Sequence, residues 1–398
     1  MNFALGNTSI TRKNGENMHL GRFHAVVDHL ERHFREEELT KKLNAAAEAL
    51  DQYNQTRSES HITEFRTHLS AFFMSSENVE HELLQPYAHQ VIDELGLKNL
   101  FPPAPRQAIN KIVSANSFDS AALAEALRKQ IKTYQTKIDY LNQLDTSLRG
   151  LSAEYTVVED DKAEVGLLLP REIVGETLPE LTKEFDKISF LARAINELTG
   201  EQNYDPRVAT ISSSWWQIFL EVPIDQVALW AVAIERIVSL FKSNLEIKNL
   251  QKQLSEKSMP ENILKLISEE VEKKVSSELR QIATDITSQF SKIEDQGRKN
   301  EIETQLRQGL HFLAKRLNQG AQVEINVGVP DEPKDPKVKE GEQPDQGVIE
   351  ANAAARVRIA ELRKIREIGL KASESSLQVG QNAPLLLEDS SNTTPDKA

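Results

Sequence analysis

The chain of 398 residues contains no cysteine. Disulfides, thiolate metal centres and cysteine nucleophiles are therefore excluded, while the absence is compatible with a reducing cytosol and with export alike. Aromatic residues make up only 6 %, which fits long helices better than a sandwich or barrel. Basic residues are outnumbered by acidic ones, 48 to 61, for a net charge of −13. A broad nucleic-acid footprint needs a basic face, so that class is disfavoured except through a local patch. Long apolar runs are missing too. The best membrane-span candidate, 222–241, is interrupted by Asp225, Glu235 and Arg236, whereas a span needs about 20 largely uncharged apolar residues. The first 17 residues, MNFALGNTSITRKNGEN, have no apolar stretch of signal-peptide length. The expectation is a soluble, cytoplasmic protein.

The familiar catalytic and nucleotide-binding signatures are absent as well. There is no Gly-x-x-x-x-Gly-Lys-Ser/Thr, no Gly-x-Gly-x-x-Gly and no Gly-x-Ser-x-Gly. His29 and His33 stand at i, i+4, a spacing used by zinc sites, but they lack the His-Glu-x-x-His pattern and a third ligand. Ser212, Ser213 and Ser214 read as strand-edge hydroxyls, with no histidine near them in sequence. Glu159-Asp160-Asp161-Lys162 has the spacing of a turn, and turns are rich in Asp. No catalytic residue, metal or cofactor is expected on these grounds.

What the sequence does contain is amphipathic periodicity. Residues 209–222, ATISSSWWQIFLEV, alternate as one strand, with Trp216, Ile218, Leu220 and Val222 on one face and Trp215, Gln217, Phe219 and Glu221 on the other. Pro223 ends the pairing and can open a helix. From 224 to 257 the period is helical, with Leu240, Ile247, Leu250 and Leu254 close to a heptad seam. Such a helix is roughly 50 Å long at 1.5 Å per residue, so a second helix must lie along it.

Taken in order, 1–17 form a flexible lead and 18–152 an all-helical domain. One helix spans about 18–53 and another 60–75. A third at 79–95 is bent or divided at Pro86 and closed by Gly96, and a long one to about 148 is capped at Ser117-Phe118-Asp119. Residues 153–330 form an α+β domain. It holds a β-hairpin at 155–158 and 165–170, a helix at 178–198, and the strand and long helix just described. A protruding helical hairpin spans about 224–319, and a strand at 323–329 returns to the same sheet. Residues 331–398 form a disordered arm: a linker rich in Pro, Glu, Asp, Lys and Gly, a basic helix at about 348–371, and a polar tail.

The fold class is therefore mostly α with a small α+β domain, its sheet small and mixed or antiparallel and its long helices coiled-coil-like. Seams of this length are usually buried against something, which points to a non-enzymatic oligomerising or scaffold protein, possibly an accessory subunit of a larger cytoplasmic complex. Its partners are itself, as a homo-oligomer, or another protein. Candidate partner-binding residues are Trp215 and Phe219 on the open sheet face and Leu240, Ile247, Leu250 and Leu254 on the seam. Arg356, Arg358, Arg363, Lys364 and Arg366 on the basic helix complete the set. Two alternatives are an enzyme or small-ligand sensor with a site between the sheet and the N-terminal helices, and weak nucleic-acid or anionic-surface binding through 351–370.

Overall fold

The computed structural model describes residues 20–151, 158–175, 177–200, 207–212, 216–256, 261–333 and 346–382. It is mostly α, with one four-stranded antiparallel sheet. Helices α1 (Leu20–Glu37), α2 (Leu39–Thr56), α3 (Glu59–Glu77), α4 (Pro86–Glu94), α5 (Ala104–Ala115) and α6 (Ser120–Gly150) come first. Their apolar stripes meet in one core. Val27, Leu30 and Phe34 of α1, Leu43 and Leu50 of α2, Phe65 and Phe72 of α3 and Leu127, Tyr134 and Leu141 of α6 are all buried there. The caps match their sequence signals. Asp119 Oδ1 accepts the Ala121 and Ala122 N–H groups at 2.9 and 3.0 Å, and Gly96 follows α4 with φ +64°.

One of these helix boundaries differs from expectation, and at another the structure selects between the two alternatives. The single helix expected over 18–53 is broken at Glu38, which adopts a left-handed conformation with φ 49° and ψ 37°. A non-glycine residue there leaves no sequence signal. The helix expected over 79–95 is divided rather than bent, because Pro86 occupies the first position of α4 after a 3-10 turn at His81–Leu84.

The sheet is built from β1 (Ala163–Leu169), β2 (Val208–Ser212), β3 (Trp216–Val222) and β4 (Gln322–Val327), in the order β2-β3-β1-β4. Around it run the single turn α7 (Arg171–Val174) and the helices α8 (Leu178–Leu198), α9 (Val227–Glu256), α10 (Glu261–Phe290), α11 (Gln296–Asn318) and α12 (Gln346–Asn382). The continuous strand expected over 209–222 is two strands. Ser212 pairs with Gln217 and Ile211 with Ile218, so the segment folds back on itself as a hairpin. The serine run carries no Gly, Asn or Pro to announce the reversal. Residues 165–169 do form a strand, β1, but its partners are β3 and β4; of its expected hairpin partner, 155–157 lie outside the described residues. The last strand joins the same sheet, as expected, through β1.

The two sheet faces have different roles. Val165, Leu167, Ile218, Leu220, Val323 and Ile325 pack beneath α8, α9, α10 and α11 in the main core. The opposite face carries Glu164, Gly166 and Leu168 of β1, Gln217, Phe219 and Glu221 of β3, and Gln322, Glu324 and Asn326 of β4, by the alternation of the register. Helices α1 and α4 cover it, through Phe23, Val26, Tyr87, Val91 and Leu95 against Leu168 and Phe219. The N-terminal helices thus provide the sheet's second layer.

In the C-terminal arm the expected basic helix is present, but it is longer and packed on the fold. Residues 334–345 and 383–398 lie outside the described residues, but the basic helix is part of a longer one, α12, that packs on β4 and α9. It continues past Lys371, and Ala372, Ser373, Ser376 and Leu377 are buried. Small and hydroxyl residues gave this stretch the look of a polar tail. Their role is to meet a strand edge. Ser376 Oγ accepts the Val323 N–H at 2.6 Å and Ser373 Oγ accepts the Ile325 N–H at 2.8 Å. An open edge strand presents unpaired N–H groups, and here a helix satisfies two of them.

Candidate functional site

The polar sheet face carries two buried carboxylates, Glu164 and Glu324, and α1 lays the buried Arg22 over it. Arg22 on α1 is only 6 % exposed, and its guanidinium does two things. Nη2 donates to Glu164 Oε2 on β1, and the group lies over the Phe219 ring with 3.9 Å from carbon to centroid. The ring needs that space: a Cβ on Gly166, paired with Phe219 across the strands, would sit 2.4 Å from it. Glycine at 166 therefore admits the aromatic ring, and the ring seats the arginine.

One strand over, Glu324 Oε2 accepts the Tyr87 N–H at 2.8 Å, and its Oε1 accepts from Asn326 Nδ2 at 2.9 Å. Tyr87 is the second residue of α4, so the carboxylate caps a helix N-terminus, where free N–H groups and the helix dipole favour negative charge. Burial nonetheless pushes the Glu324 pKa up, against the lowering effects of Asn326, the Tyr87 N–H and the Arg22 charge, and with some help from Glu164. Burial likewise raises the Tyr87 phenol. Beside them the Gln217 amide donates to Gln90 Oε1 of α4 at 2.6 Å.

These groups border a cavity of about 140 Å³ at the junction of α1, α4, β4 and α12, lined by Arg22, His29, Tyr87, Glu324, Asn326 and Arg366 among others. Arg22 Nε is buried, and its N–H finds no acceptor among the described residues. The cavity offers cationic donors on one wall and, on another, a carboxyl whose pKa burial raises. It lies between the sheet and the N-terminal helices, where polar groups from distant segments converge.

The other sequence candidates are placed as follows. Trp215 lies outside the described residues. Phe219 is fully buried and covered by the chain's own α1 and α4, so it offers no exposed patch. Leu240 is buried in the main core, again within the chain. Ile247, Leu250 and Leu254 fall in α9 where side chains lie outside those described. On α12, Arg358 pairs with Asp161 at 2.9 Å and Arg363 with Glu332 at 2.8 Å. Arg356 and Lys364 are exposed, and Arg366 borders the cavity. The basic helix is thus partly neutralised by carboxylates rather than presented as a free positive stripe.

The histidine pair of α1 does not converge. His29 approaches Glu80 at 3.6 Å, whereas His33 stacks on Phe101, with centroids 5.8 Å apart. Burial lowers the His33 pKa, with Glu80, Glu37 and Glu36 opposing. His24 lies 3.6 Å from Asp145, which also accepts from Arg149 Nε at 2.7 Å. Among the described residues no group of three or more His, Asp or Glu could hold a metal ion. Glu159-Asp160-Asp161-Lys162 is a turn, Lys162 N–H donating to the Glu159 carbonyl at 3.0 Å. No described helix is long and apolar enough to cross a membrane. No protein-family model, no curated protein and no solved structure matches this chain.

Proposed function

We propose that the chain is a non-enzymatic interaction protein that self-associates through the outer halves of α9 and α10. The observation that carries this reading is on α10. Its core contribution begins at the half-buried Val275 and becomes complete at Leu279, Ile282, Ala283 and Ile286. Towards its start, Ile263 and Leu266 are 40 % and 59 % exposed. A 30-residue helix is about 45 Å long, so roughly half of α10 extends beyond the core with apolar side chains outward. On this reading a second copy supplies the missing surface in a coiled-coil-like contact, and the protein acts as a cytoplasmic scaffold or accessory subunit. The test is the mass in solution by light scattering at two concentrations, for the full chain and for Ile263→Glu/Leu266→Glu. A dimer or larger species that the double substitution returns to about 45 kDa, the chain mass of 44.9 kDa, supports it. A concentration-independent monomer sinks it.

A second reading, a small-ligand sensor, is favoured by the Arg22–Glu324 cavity. Polar cavities of this size commonly hold ordered water, so the reading stands on displacement of that water by a small polar solute. A thermal-shift screen of small carboxylates and amides tests it. A stabilising hit lost in Glu324→Gln, itself folded, supports the sensor, and no hit removes the reading.

A further inference from the structure

A second concave surface lies between α10 and α11. Thr284 Oγ1 donates to Glu303 Oε1 at 2.7 Å, which fixes the level at which these antiparallel helices meet. One turn further from their connection, that register sets Arg280 against Arg307, and the next turn sets Ser276 against His311. All four, with Ser277 and Gln308, line one open groove of about 610 Å³.

Two guanidiniums at one level are an unfavourable arrangement unless something negative lies between them. Elsewhere the arginines of this region are matched: Arg236 with Asp285, and Arg298 with Glu197 and Glu301. Among the described residues no carboxylate pairs with Arg280 or Arg307. Glu303, one turn before Arg307, is engaged by Thr284. The local field is visible at His311, whose pKa is lowered by burial and by the Arg307 charge with no carboxylate opposing. At His33 and His89, carboxylates oppose the effect of burial. In a chain with 61 acidic residues against 48 basic ones, a groove without a carboxylate on its walls is a selective arrangement.

We propose that this groove binds a phosphate group, carried by a phosphomonoester. The two guanidinium forks match phosphate oxygens in pairs, while the Ser276 and Ser277 hydroxyls, the Gln308 amide and the His311 ring add neutral donors. The groove is open and larger than one phosphate, leaving room for the organic part of the ester.

The test uses the full chain, titrated with inorganic phosphate and with phenyl phosphate at constant ionic strength. Calorimetry reports affinity, and the His311 ring Cε1–H resonance, assigned through His311→Gln, reports the place. Saturable binding is expected, with that resonance moving and chloride failing to compete. Arg280→Ala and Arg307→Ala are each expected to weaken binding about tenfold or more, as loss of a charge-assisted hydrogen bond implies. Both side chains lie at least partly at the surface, and circular dichroism confirms that the variants fold. No saturable binding, or binding unchanged in the Arg280→Ala/Arg307→Ala double variant, overturns the proposal. Once phosphate binding is established, phosphatidic acid vesicles separate the sources. Capture that the double variant abolishes assigns the ester to a lipid headgroup, and no capture assigns it to a soluble phosphomonoester.

Discussion

The Ser373 hydroxyl accepts the main-chain N–H of Ile325 at 2.8 Å, and its own O–H donates to the Gly369 carbonyl one helical turn back, also at 2.8 Å. A side chain of α12 therefore takes the place of a fifth strand. Ser376 likewise accepts the Val323 N–H, and Gly369 lets the helix close on the strand, since a Cβ there would sit 2.8 Å from Ile325 Cγ2.

Removing these acceptors leaves buried donors unsatisfied. Ser373→Ala and Ser376→Ala are each expected to cost about 1–3 kcal/mol in urea unfolding, the usual cost of an unpaired buried polar group. Amide exchange at Val323 and Ile325 is expected to speed up in step with the loss. Unchanged exchange at both amides would show that the hydroxyls are dispensable to the edge.

The Arg22–Glu164 pair makes a sharper case, because both partners are nearly excluded from water. Arg22→Met strands a carboxylate under α1, which is expected to destabilise the fold by about 3–5 kcal/mol. Adding Glu164→Gln removes the stranded charge, and stability is expected to recover in large part. A double variant no better than the single would place the cost in the lost stacking on Phe219 instead. Double-mutant analysis of unfolding free energies separates the two.

Gly166 bears on the same contact. Gly166→Val places a branched side chain where the Phe219 ring lies, and overpacking of this kind costs about 1–3 kcal/mol or more. The expected signature beyond stability is displacement of Phe219 and with it of Arg22, visible as a changed Arg22 Nε–H resonance.

How far the sequence announces this molecule depends on the range of the interaction. Local periodicity is enough for the α1 stripe of Val27, Leu30 and Phe34, for the alternation of Ile218 and Phe219, and for the Asp119 and Gly96 caps. The polar side of β3 is legible as well, since Gln217 and Glu221 break the apolar run. Its cover is not. Arg22 and Glu164 are 142 positions apart, and nothing near Arg22 distinguishes it from a solvated helix arginine. The same holds for Ser373 and Ser376, whose hydroxyls look like a polar tail until β4 is laid beside them. Glu38 fails for the opposite reason: its left-handed backbone runs against the local preference of a non-glycine residue.

The last prediction concerns pH. The folded environment raises the Glu324 pKa above its ordinary value, chiefly through burial. A carboxyl raised in this way favours folding most when it is protonated in both states, below its unfolded value. That contribution is lost as pH rises through the folded value. Wild-type stability should therefore decline as pH rises above the ordinary carboxylate range, relative to Glu324→Gln, which does not titrate and whose amide oxygen can still accept the Tyr87 N–H. His33 and His89 run the other way. Their pKa values are lowered by burial, so the stability they contribute is present above the unfolded histidine value and lost as pH falls through the folded values. Both histidines are shared by wild type and variant, so the difference between the two proteins isolates Glu324. Urea unfolding of both at pH 5 and pH 8 measures it: a gap that moves in favour of Glu324→Gln at the higher pH is the expected result. A gap independent of pH would mean that Glu324 is ionised as readily under α4 as in the unfolded chain, and that the helix N-terminus fully offsets its burial.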